Sequence, residues 1–260
     1  MTQAHSVALV NRRELALRNW SSVLSSREQF EASTYPNPER RERSVTSRVV
    51  AKYLIAAGPA AGFQRLTSLQ LLSAGEPEWR HVELLSGTAA HRSAPRIFRH
   101  GNAYTDVSAS SSHCGPYTAS LISPARAGLD LERIEVRHPD FYANMFSAAE
   151  QKWVSTRFGP ARSHELFTFL WTVKEAFLKA SERSDLSVWN FSQWTVEATA
   201  VLEESLARRA ASGAGQATIR SGGFSQDVEI GVRRVDDMIL TSVSYVAASV
   251  GTAFDGGGAR

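Results

Sequence analysis

The chain has little that would mark it as secreted, membrane-bound or held together by zinc. Cys114 is its only cysteine, so no internal disulfide is possible, and no Cys/His cluster suggests structural zinc. No apolar stretch approaches the roughly 20 residues that a membrane helix needs. The N-terminus also lacks the basic start and long apolar core of a signal peptide. We therefore expect a cytoplasmic protein without a membrane partner.

The net charge of the chain is also small. A formal charge of +3 over 260 residues is too small to indicate nucleic-acid binding. The charge is uneven, because residues 1–52 hold nine Arg or Lys against five Glu. This stretch is either a solvated helix surface or a docking surface for an anionic ligand or an acidic protein. With 43% hydrophobic residues, the chain can build one large domain or two small ones.

Hydrophobic periodicity and turn residues predict helices followed by strands, twice over. Helical spacing is present in residues 1–35 and 39–57, and strands are expected at 78–85, 104–112 and 117–123. The second series comprises a strand at 129–134, helices at 147–158 and 164–182, a variable loop at 207–223, and strands at 194–201, 228–234 and 239–247. This order predicts an α+β fold of two similar α/β halves in a pseudo-twofold arrangement, with the active site in the cleft between them. The predicted units are residues 1–125, residues 126–250 and a disordered tail at 251–260.

The segment from His164 to Ala180 is apolar almost throughout, yet it contains Lys174, Glu175 and Lys179. Burying an unpaired charge is costly, so such groups are solvated, paired or bound to a charged ligand. Glu175 and Lys179 are four residues apart and therefore neighbours on one helix face, with Trp171 one turn earlier. They form either an ordinary ion pair beside an aromatic ring or part of a site. The ammonium of Lys174 is expected to reach outward.

Two carboxylates, Asp130 and Glu132, sit at alternate positions of a short apolar strand. Residues i and i+2 of a strand point to the same side, so both acids should share one face. Hard cations such as Mg²⁺ are held by one or two carboxylates together with substrate phosphates. A solvated strand face is the plainer alternative for a D-x-E pattern.

Two further residues have both a structural and a chemical interpretation. His113 ends a predicted strand before the Gly115-Pro116 turn, where it is either structural or a donor to a phosphate oxygen. Glu150 follows Ser147 by three residues, the spacing of a capping box at a helix N-terminus. It could instead act as a base.

The combined pattern is more informative than any single residue. GLDLE (128–132), FSAAE (146–150) and WTVKEAFLKA (171–180) follow one another along the chain. They resemble the G-x-D-x-E, F-S-x-x-E and W-x-x-K-E-A-x-x-K motifs of the Sfp-type 4′-phosphopantetheinyl transferases. SSHCG (111–115) is similar to that family's S-H-S-G turn, and the helix with Arg48 resembles its N-terminal helix. The resemblance covers about residues 20 to 200.

The resemblance implies transfer of the phosphopantetheine arm of coenzyme A to a serine of an acyl or peptidyl carrier protein, with 3′,5′-ADP as the other product. It implies that Asp130, Glu132 and Glu175 bind Mg²⁺, with Mn²⁺ as the alternative ion, and that Glu150 is the general base for the carrier serine. It further implies that Lys179 holds the pyrophosphate and assists the leaving phosphate. The residues implied to contact coenzyme A are Arg48, Ser112, His113, Lys174 and Lys179.

The chain departs from the family pattern at three places. HRSAPRI (91–97) stands where the family has a G-[RK]-P step, so that Arg92 or Arg96 would have to supply the basic residue. Cys114 stands in place of a serine, and SERSDLS follows Lys179 in place of a glycine-rich turn. Two other functions stay open: a catalytically inactive scaffold that binds coenzyme A or the carrier, and an unrelated metal-dependent phosphohydrolase. A chain with two halves is expected to be a monomer.

Overall fold

The computed structural model of the chain describes residues 5–15, 20–58, 62–67, 70–71, 79–86, 95–181, 186–208 and 211–246. The expected tail at 251–260 lies outside these residues. The fold is mixed α+β. Within the described ranges, no helix combines the length and the apolar character needed to cross a membrane.

The described strands form three sheets. The first has the order β2-β1-β7-β6 and the second the order β8-β12-β11-β10-β9, and a small sheet contains β3, β4 and β5. The strand bounds are β1 Ser6–Asn11, β2 Gly62–Leu66, β3 Val82–Leu85, β4 Arg96–Arg99, β5 Asn102–Ala103, β6 Ser108–Cys114, β7 Tyr117–Ser123, β8 Ala127–Arg133, β9 Thr195–Ala198, β10 Ser212–Ser221, β11 Phe224–Val235 and β12 Met238–Tyr245.

Two long helices dominate the helical part. The α-helices are α1 Arg12–Leu15, α2 Ser26–Ser33, α3 Pro38–Ala57, α4 Pro139–Met145, α5 Ala148–Arg157, α6 Ser163–Ala180 and α7 Ala200–Ala207. Short 3₁₀ helices occupy Trp20–Val23, Pro160–Arg162 and Val188–Gln193. The positions of α3, α5 and α6 confirm the helices that periodicity predicts.

The first sheet packs against α3. This helix begins where the side chain of Asn37 accepts hydrogen bonds from the backbone N–H groups of Glu39 and Arg40, and it ends at Gly58, whose φ is +75°. An Asn cap and a glycine in the left-handed region are the usual helix boundaries. The helix buries Val49, Val50 and Leu54 together with residues of β1, so that its first turns are left at the rim of the sheet.

The second sheet packs against α6. Phe169, Val173 and Phe177 of this helix are fully buried beside Ile230 and Val243 of the sheet. Strand β8 lies at the edge of the sheet, where it pairs only with β12 among the described strands. The carboxyl-terminal turns of α6 therefore lie beside β8.

The two sheets meet where β6 approaches β8. A third apolar cluster fills the space between them and includes Leu9, Leu121, Leu129, Leu131 and Leu240. The hydroxyl of Ser110 on β6 accepts a hydrogen bond of 3.0 Å from the backbone N–H of Leu129 on β8. Side chains at the ends of these two strands consequently face a shared space.

Two sequence expectations are wrong. Residues 1–35 do not have helical character throughout, because Ser6–Asn11 form the strand β1. This strand lies between β2 and β7 and is buried on both faces, so it lacks the alternation that marks a strand in sequence.

The expected loop at 207–223 is mostly the strand β10, which pairs with β9 and β11. Its small residues have a packing role. A Cβ atom at Gly213 would lie 1.9 Å from the hydroxyl of Ser205, and one at Gly215 would lie 2.7 Å from the Cβ of Leu202. The glycines therefore let α7 approach the strand. Sequence composition alone cannot distinguish such a glycine-containing strand from a loop.

We predict that Gly128→Ala destabilises the protein by about 1–3 kcal/mol, as overpacking does elsewhere. A Cβ at Gly128 on β8 would lie 1.9 Å from the carbonyl oxygen of Ala176 and 2.8 Å from the backbone nitrogen of Ala180, both on α6. Urea unfolding measures the change. Gly222→Ala is the matched control, because a Cβ there has no atom within 4 Å. Equal stability of the two variants would contradict the close approach of α6 and β8.

Candidate active site

A cleft of about 810 Å³ opens where β6, β8, α6 and the first turns of α3 come together. Its volume is in the range of small-molecule and cofactor sites. Six of the residues selected from sequence line it, namely Ser112, His113, Asp130, Glu132, Glu175 and Lys179, and Trp171 lines it as well. The structure thus brings together residues that are up to 67 positions apart in the chain.

The alternation of β8 explains why its two acids face the cleft. Leu129 and Leu131 are fully buried in the cluster between the sheets, and the intervening Asp130 and Glu132 point to the opposite side. The i, i+2 spacing in the sequence therefore predicts the shared face of the two carboxylates, and the structure confirms it.

Asp130 is held by two neighbours. Its Oδ1 accepts a hydrogen bond of 2.7 Å from Lys179 Nζ and one of 2.8 Å from the hydroxyl of Ser112. Lys179 also donates to the carbonyl oxygen of Leu129 at 3.1 Å. The Asp130 side chain is 4% exposed and that of Lys179 is 28% exposed. The ammonium is therefore anchored at one side and open to the cleft on the other.

The carboxylate oxygens of β8 suit a divalent cation. Asp130 Oδ2 is buried and has no hydrogen-bond partner. Burial, and then the nearby negative charge of Asp130, raise the pKa of Glu132 to about 7, although Arg137 lies 3.2 Å from its carboxylate. A bound cation would satisfy the orphaned oxygen and stabilise the ionised Glu132.

The fit to a cation is partial in this arrangement. Glu175 lines the same cleft one turn before Lys179, on α6. Within the part of the chain that the structure describes, no three His, Cys, Asp or Glu side chains lie close enough together to hold a metal ion. The donor chemistry of Asp130, Glu132 and Glu175 suits Mg²⁺, and small side-chain movements would be needed for all three to bind one ion.

The opposite wall of the cleft is mostly cationic or neutral, and its one acid among the described lining residues, Glu39, is paired with Arg43. Arg40 and Arg43 on the first turns of α3 line it together with His113 at the end of β6. Burial, and then the positive charge of Lys179, lower the pKa of His113 to about 4, so this imidazole is neutral near pH 7. Its Nδ1 is buried without a hydrogen-bond partner. Together, these groups could stabilise a bound anion.

Sequence reasoning missed Arg40 and Arg43 as cleft residues. It grouped them with the basic excess of the N-terminus as a docking surface. The two arginines are three residues apart and follow the helix cap Asn37, which places them near one another at the start of α3, and this was the available signal. Only the packing of α3 on the first sheet turns that part of the helix toward β6.

Arg48 was selected from sequence but does not line the cleft. Arg48 is 7% exposed and donates to the carbonyl oxygen of Leu84 at 3.0 Å and to Glu31 at 2.6 Å. Arg48 is therefore part of the packing between α3 and its neighbours. Of the proposed replacements for the family's basic residue, Arg92 lies outside the described residues, and Arg96 is exposed on β4, although Pro95 lines the cleft.

Lys174 and Glu150 form a buried pair behind the cleft. Lys174 is 0% exposed and Glu150 is 1% exposed, and their Nζ and Oε2 atoms are 2.6 Å apart. Lys174 also donates to the carbonyl oxygens of Phe191 and Trp194, at 2.7 and 3.0 Å. The expectation that its ammonium reaches outward is wrong, because these acceptors compensate for its burial.

Glu150 completes a capping box, as one of the two sequence interpretations predicts. Ser147 accepts from the backbone N–H of Glu150, and Glu150 Oε2 accepts from the backbone N–H of Ser147 at 2.9 Å. Its Oε1 accepts from the backbone N–H of Val196 at 3.0 Å. Both carboxylate oxygens are thus engaged within the protein.

A family model describing the 4′-phosphopantetheinyl transferase superfamily (ACPS) matches residues 126–229. The match shows that residues 126–229 are similar to this superfamily. The matched range contains the acids of β8 and the whole of α6, and it therefore includes one side of the cleft. A search among curated proteins found no match. The similarity to this superfamily supports transferase activity.

We predict that His113 makes folding less favourable at acid pH. The unfolded chain, with a histidine pKa near 6.5, binds more protons than the folded protein between pH 6.5 and about 4. The free energy of unfolding should therefore fall as the pH is lowered through this window. His113→Asn should reduce that fall, as measured by urea unfolding at several pH values. His138→Asn, at an exposed position, is the control. An unchanged pH dependence in His113→Asn would contradict the prediction.

Proposed function

We propose that the protein transfers the 4′-phosphopantetheine arm of coenzyme A to a serine hydroxyl of an acyl or peptidyl carrier protein, releasing 3′,5′-ADP. The observation that carries the proposal is the hydrogen-bonded set of Asp130, Ser112 and Lys179 in a cleft also lined by Glu132 and Glu175. The superfamily match and the resemblance to the Sfp type support it. We infer a monomer that acts in the cytoplasm.

The proposed reaction is attack by a hydroxyl on a phosphorus of a pyrophosphate, so the protein must stabilise negative charge. Lys179 is suited to this role, because its ammonium is anchored on Asp130 and still reaches the cleft. Ser112 orients Asp130 by donating a hydrogen bond to the oxygen that also accepts from Lys179. Mg²⁺, or Mn²⁺, bound by Asp130, Glu132 and Glu175 would neutralise pyrophosphate oxygens.

The opposite wall suits the 3′-phosphate of coenzyme A. Arg40 and Arg43 provide two guanidinium groups, which bind phosphate through paired donors. The neutral ring of His113 has a donor N–H to offer. We propose that these three residues, rather than Arg48, hold that end of the substrate, because the guanidinium of Arg48 is occupied by Glu31 and by the carbonyl of Leu84.

We also propose that the chain consists of two related halves, residues 1–125 and 126–250. A repeated buried ion pair supports this arrangement. Glu28 and Lys52 lie 2.7 Å apart and are both 0% exposed, and they precede Glu150 and Lys174 by 122 residues each. The same interval separates Ser25 from Ser147, and each serine forms a capping box with its glutamate.

Further contacts of the two pairs correspond as well. Each lysine donates to a carbonyl two residues before its cap serine, Lys52 to Val23 and Lys174 to Met145. The other oxygen of each glutamate accepts from a strand backbone, at Leu84 of β3 and at Val196 of β9. The lysine of one pair belongs to α3 and the lysine of the other belongs to α6. These two helices contribute residues to the two walls of the cleft.

The role of Glu150 as general base stays a prediction, and its surroundings favour a structural role. Its oxygens accept hydrogen bonds from two backbone N–H groups and from Lys174. Its counterpart Glu28 makes the same contacts in the half of the chain without the β8 acids. We therefore propose that Glu150 and Lys174 position α6 rather than touch the substrate.

The first test is transfer itself. Incubation with coenzyme A, Mg²⁺ and an apo carrier protein should increase the intact mass of the carrier by about 340 Da, the mass of one phosphopantetheine arm transferred by phosphoryl transfer. Asp130→Asn and Lys179→Met should each reduce the rate by about 10² or more, because the ammonium of Lys179 would stabilise the pyrophosphate and the carboxylate of Asp130 would hold both that ammonium and the metal ion. Asp227→Asn, on β11 and bonded to Thr218, is the control.

The outcomes of this test are distinct. Binding of coenzyme A without any mass gain on several acyl and peptidyl carriers would favour the alternative of a catalytically inactive scaffold. Release of 3′,5′-ADP without a carrier would favour a phosphohydrolase. The presence of all the cleft acids together with Lys179 argues against the scaffold.

Glu150→Gln tests the role of the buried pair. If Glu150 is structural, the free energy of unfolding falls by about 3–5 kcal/mol, because Lys174 loses its charge partner, while kcat of the folded fraction stays within about tenfold. The pH dependence of kcat should also stay unchanged. Glu28→Gln is the matched control, with a similar loss of stability. A loss of kcat by about 10² to 10⁴ in Glu150→Gln alone would instead support general-base catalysis.

A further inference from the structure

Arg12 is a buried cation that belongs to none of the motifs described above. It follows β1 directly and is 5% exposed. Its backbone N–H donates to the carbonyl oxygen of Pro116 at 2.8 Å, and its Nη2 donates to the carbonyl oxygen of Gly115 at 2.5 Å. Both acceptors lie in the turn between β6 and β7, immediately after His113 and Cys114. Arg12 is thus bound to the turn that ends the strand of His113.

The same guanidinium also faces the start of α3. Arg12 Nη2 lies 3.5 Å from Glu39 Oε1, and Nη1 lies 3.7 Å from Glu42 Oε2. Glu39 is at the same time 2.5 Å from Arg43, and it lines the cleft with Arg43. A chain of contacts therefore runs from the β6–β7 turn through Arg12 and Glu39 to Arg43.

The burial of Arg12 makes these contacts informative. A buried guanidinium needs charged or polar partners, because an unpaired one is costly. The partners here come from two elements that form the same wall of the cleft. The geometry of the fork matters as well, since a planar guanidinium directs its donors toward the carbonyl and the carboxylates in a fixed arrangement, which the single nitrogen of an ammonium does not provide.

We propose that Arg12 is a positioning residue for the anion-binding wall of the cleft, where it holds the His113 turn and Arg43 in the arrangement that binds the 3′-phosphate of coenzyme A. The inference rests on the proposed function. Without Arg12, Glu39 would have Arg43 as its main cationic partner and would compete with the phosphate for it. The turn after His113 would also lose a hydrogen bond from the guanidinium.

The test compares two ligands that differ only in the group concerned. Isothermal titration with coenzyme A and with 3′-dephospho-coenzyme A measures the preference of the wild-type protein for the 3′-phosphate. Arg12→Gln should weaken binding of coenzyme A by about tenfold, the loss expected for one charge-assisted contact, with little effect on the dephospho form. Arg13→Gln, which removes the adjacent exposed arginine, should keep the wild-type preference.

Each outcome separates this inference from the proposed function. Failure of the wild-type protein to bind either ligand would argue against the proposed function itself. Wild-type binding of both ligands with equal affinity would overturn the inference and leave the transfer reaction possible. An unchanged preference in Arg12→Gln, or an equal loss for both ligands, would also overturn it.

A thermal melt of each variant shows whether it is folded. If Arg12→Gln does not fold, Arg12→Lys provides the same comparison, because it keeps the charge but not the fork of donors. Its preference for coenzyme A should be smaller than that of the wild type. An unchanged preference in a folded Arg12→Lys variant would count against the positioning role.

Discussion

The placement of α6 depends on a lysine that cannot leave the protein interior. Lys174 is surrounded by the carboxylate of Glu150 and by backbone carbonyls, and breaking such a buried pair is strongly destabilising. The next residue is Glu175, and Lys179 lies little more than one turn later. The rotation of the helix about its axis is therefore set by contacts behind the cleft, and the helix presents both charges to the cleft as a consequence.

The distance between α6 and β8 is constrained at Gly128. No side chain fits there, because the carbonyl of Ala176 occupies the place of a Cβ atom. This close approach brings Lys179 within hydrogen-bond distance of Asp130, two residues along the strand. A lysine and an aspartate that are 49 positions apart thus form one unit because of a glycine that itself carries no chemistry.

The two walls of the cleft differ in charge. The acids of one wall come from β8 and α6, whereas α3 and β6 contribute Arg40, Arg43 and the neutral His113, with Glu39 of α3 paired to Arg43. A ligand with phosphates at separate points, one of them accompanied by a divalent cation, would match both walls. Buried ion pairs fix a lysine of α3 to Glu28 and a lysine of α6 to Glu150, outside the cleft lining.

Several features were accessible from sequence because they depend on local spacing. The capping box at Ser147, the helices predicted at 39–57 and 147–158, and the shared face of Asp130 and Glu132 all depend on residues a few positions apart. Strands β1 and β10 could not be predicted from the sequence. The first is buried on both faces, and the glycines of the second reflect the approach of α7, which is a property of packing and not of composition.

The sequence by itself determined which residues carry charge in an apolar setting, and it placed Asp130, Glu132, Glu175 and Lys179 among the candidates. It did not determine which charges face the cleft. Lys174 and Glu175 are adjacent, yet one is enclosed by backbone carbonyls and the other lines the cleft. Only the tertiary structure decided this, because the acceptors that compensate a buried charge come from distant segments whose approach no local pattern encodes.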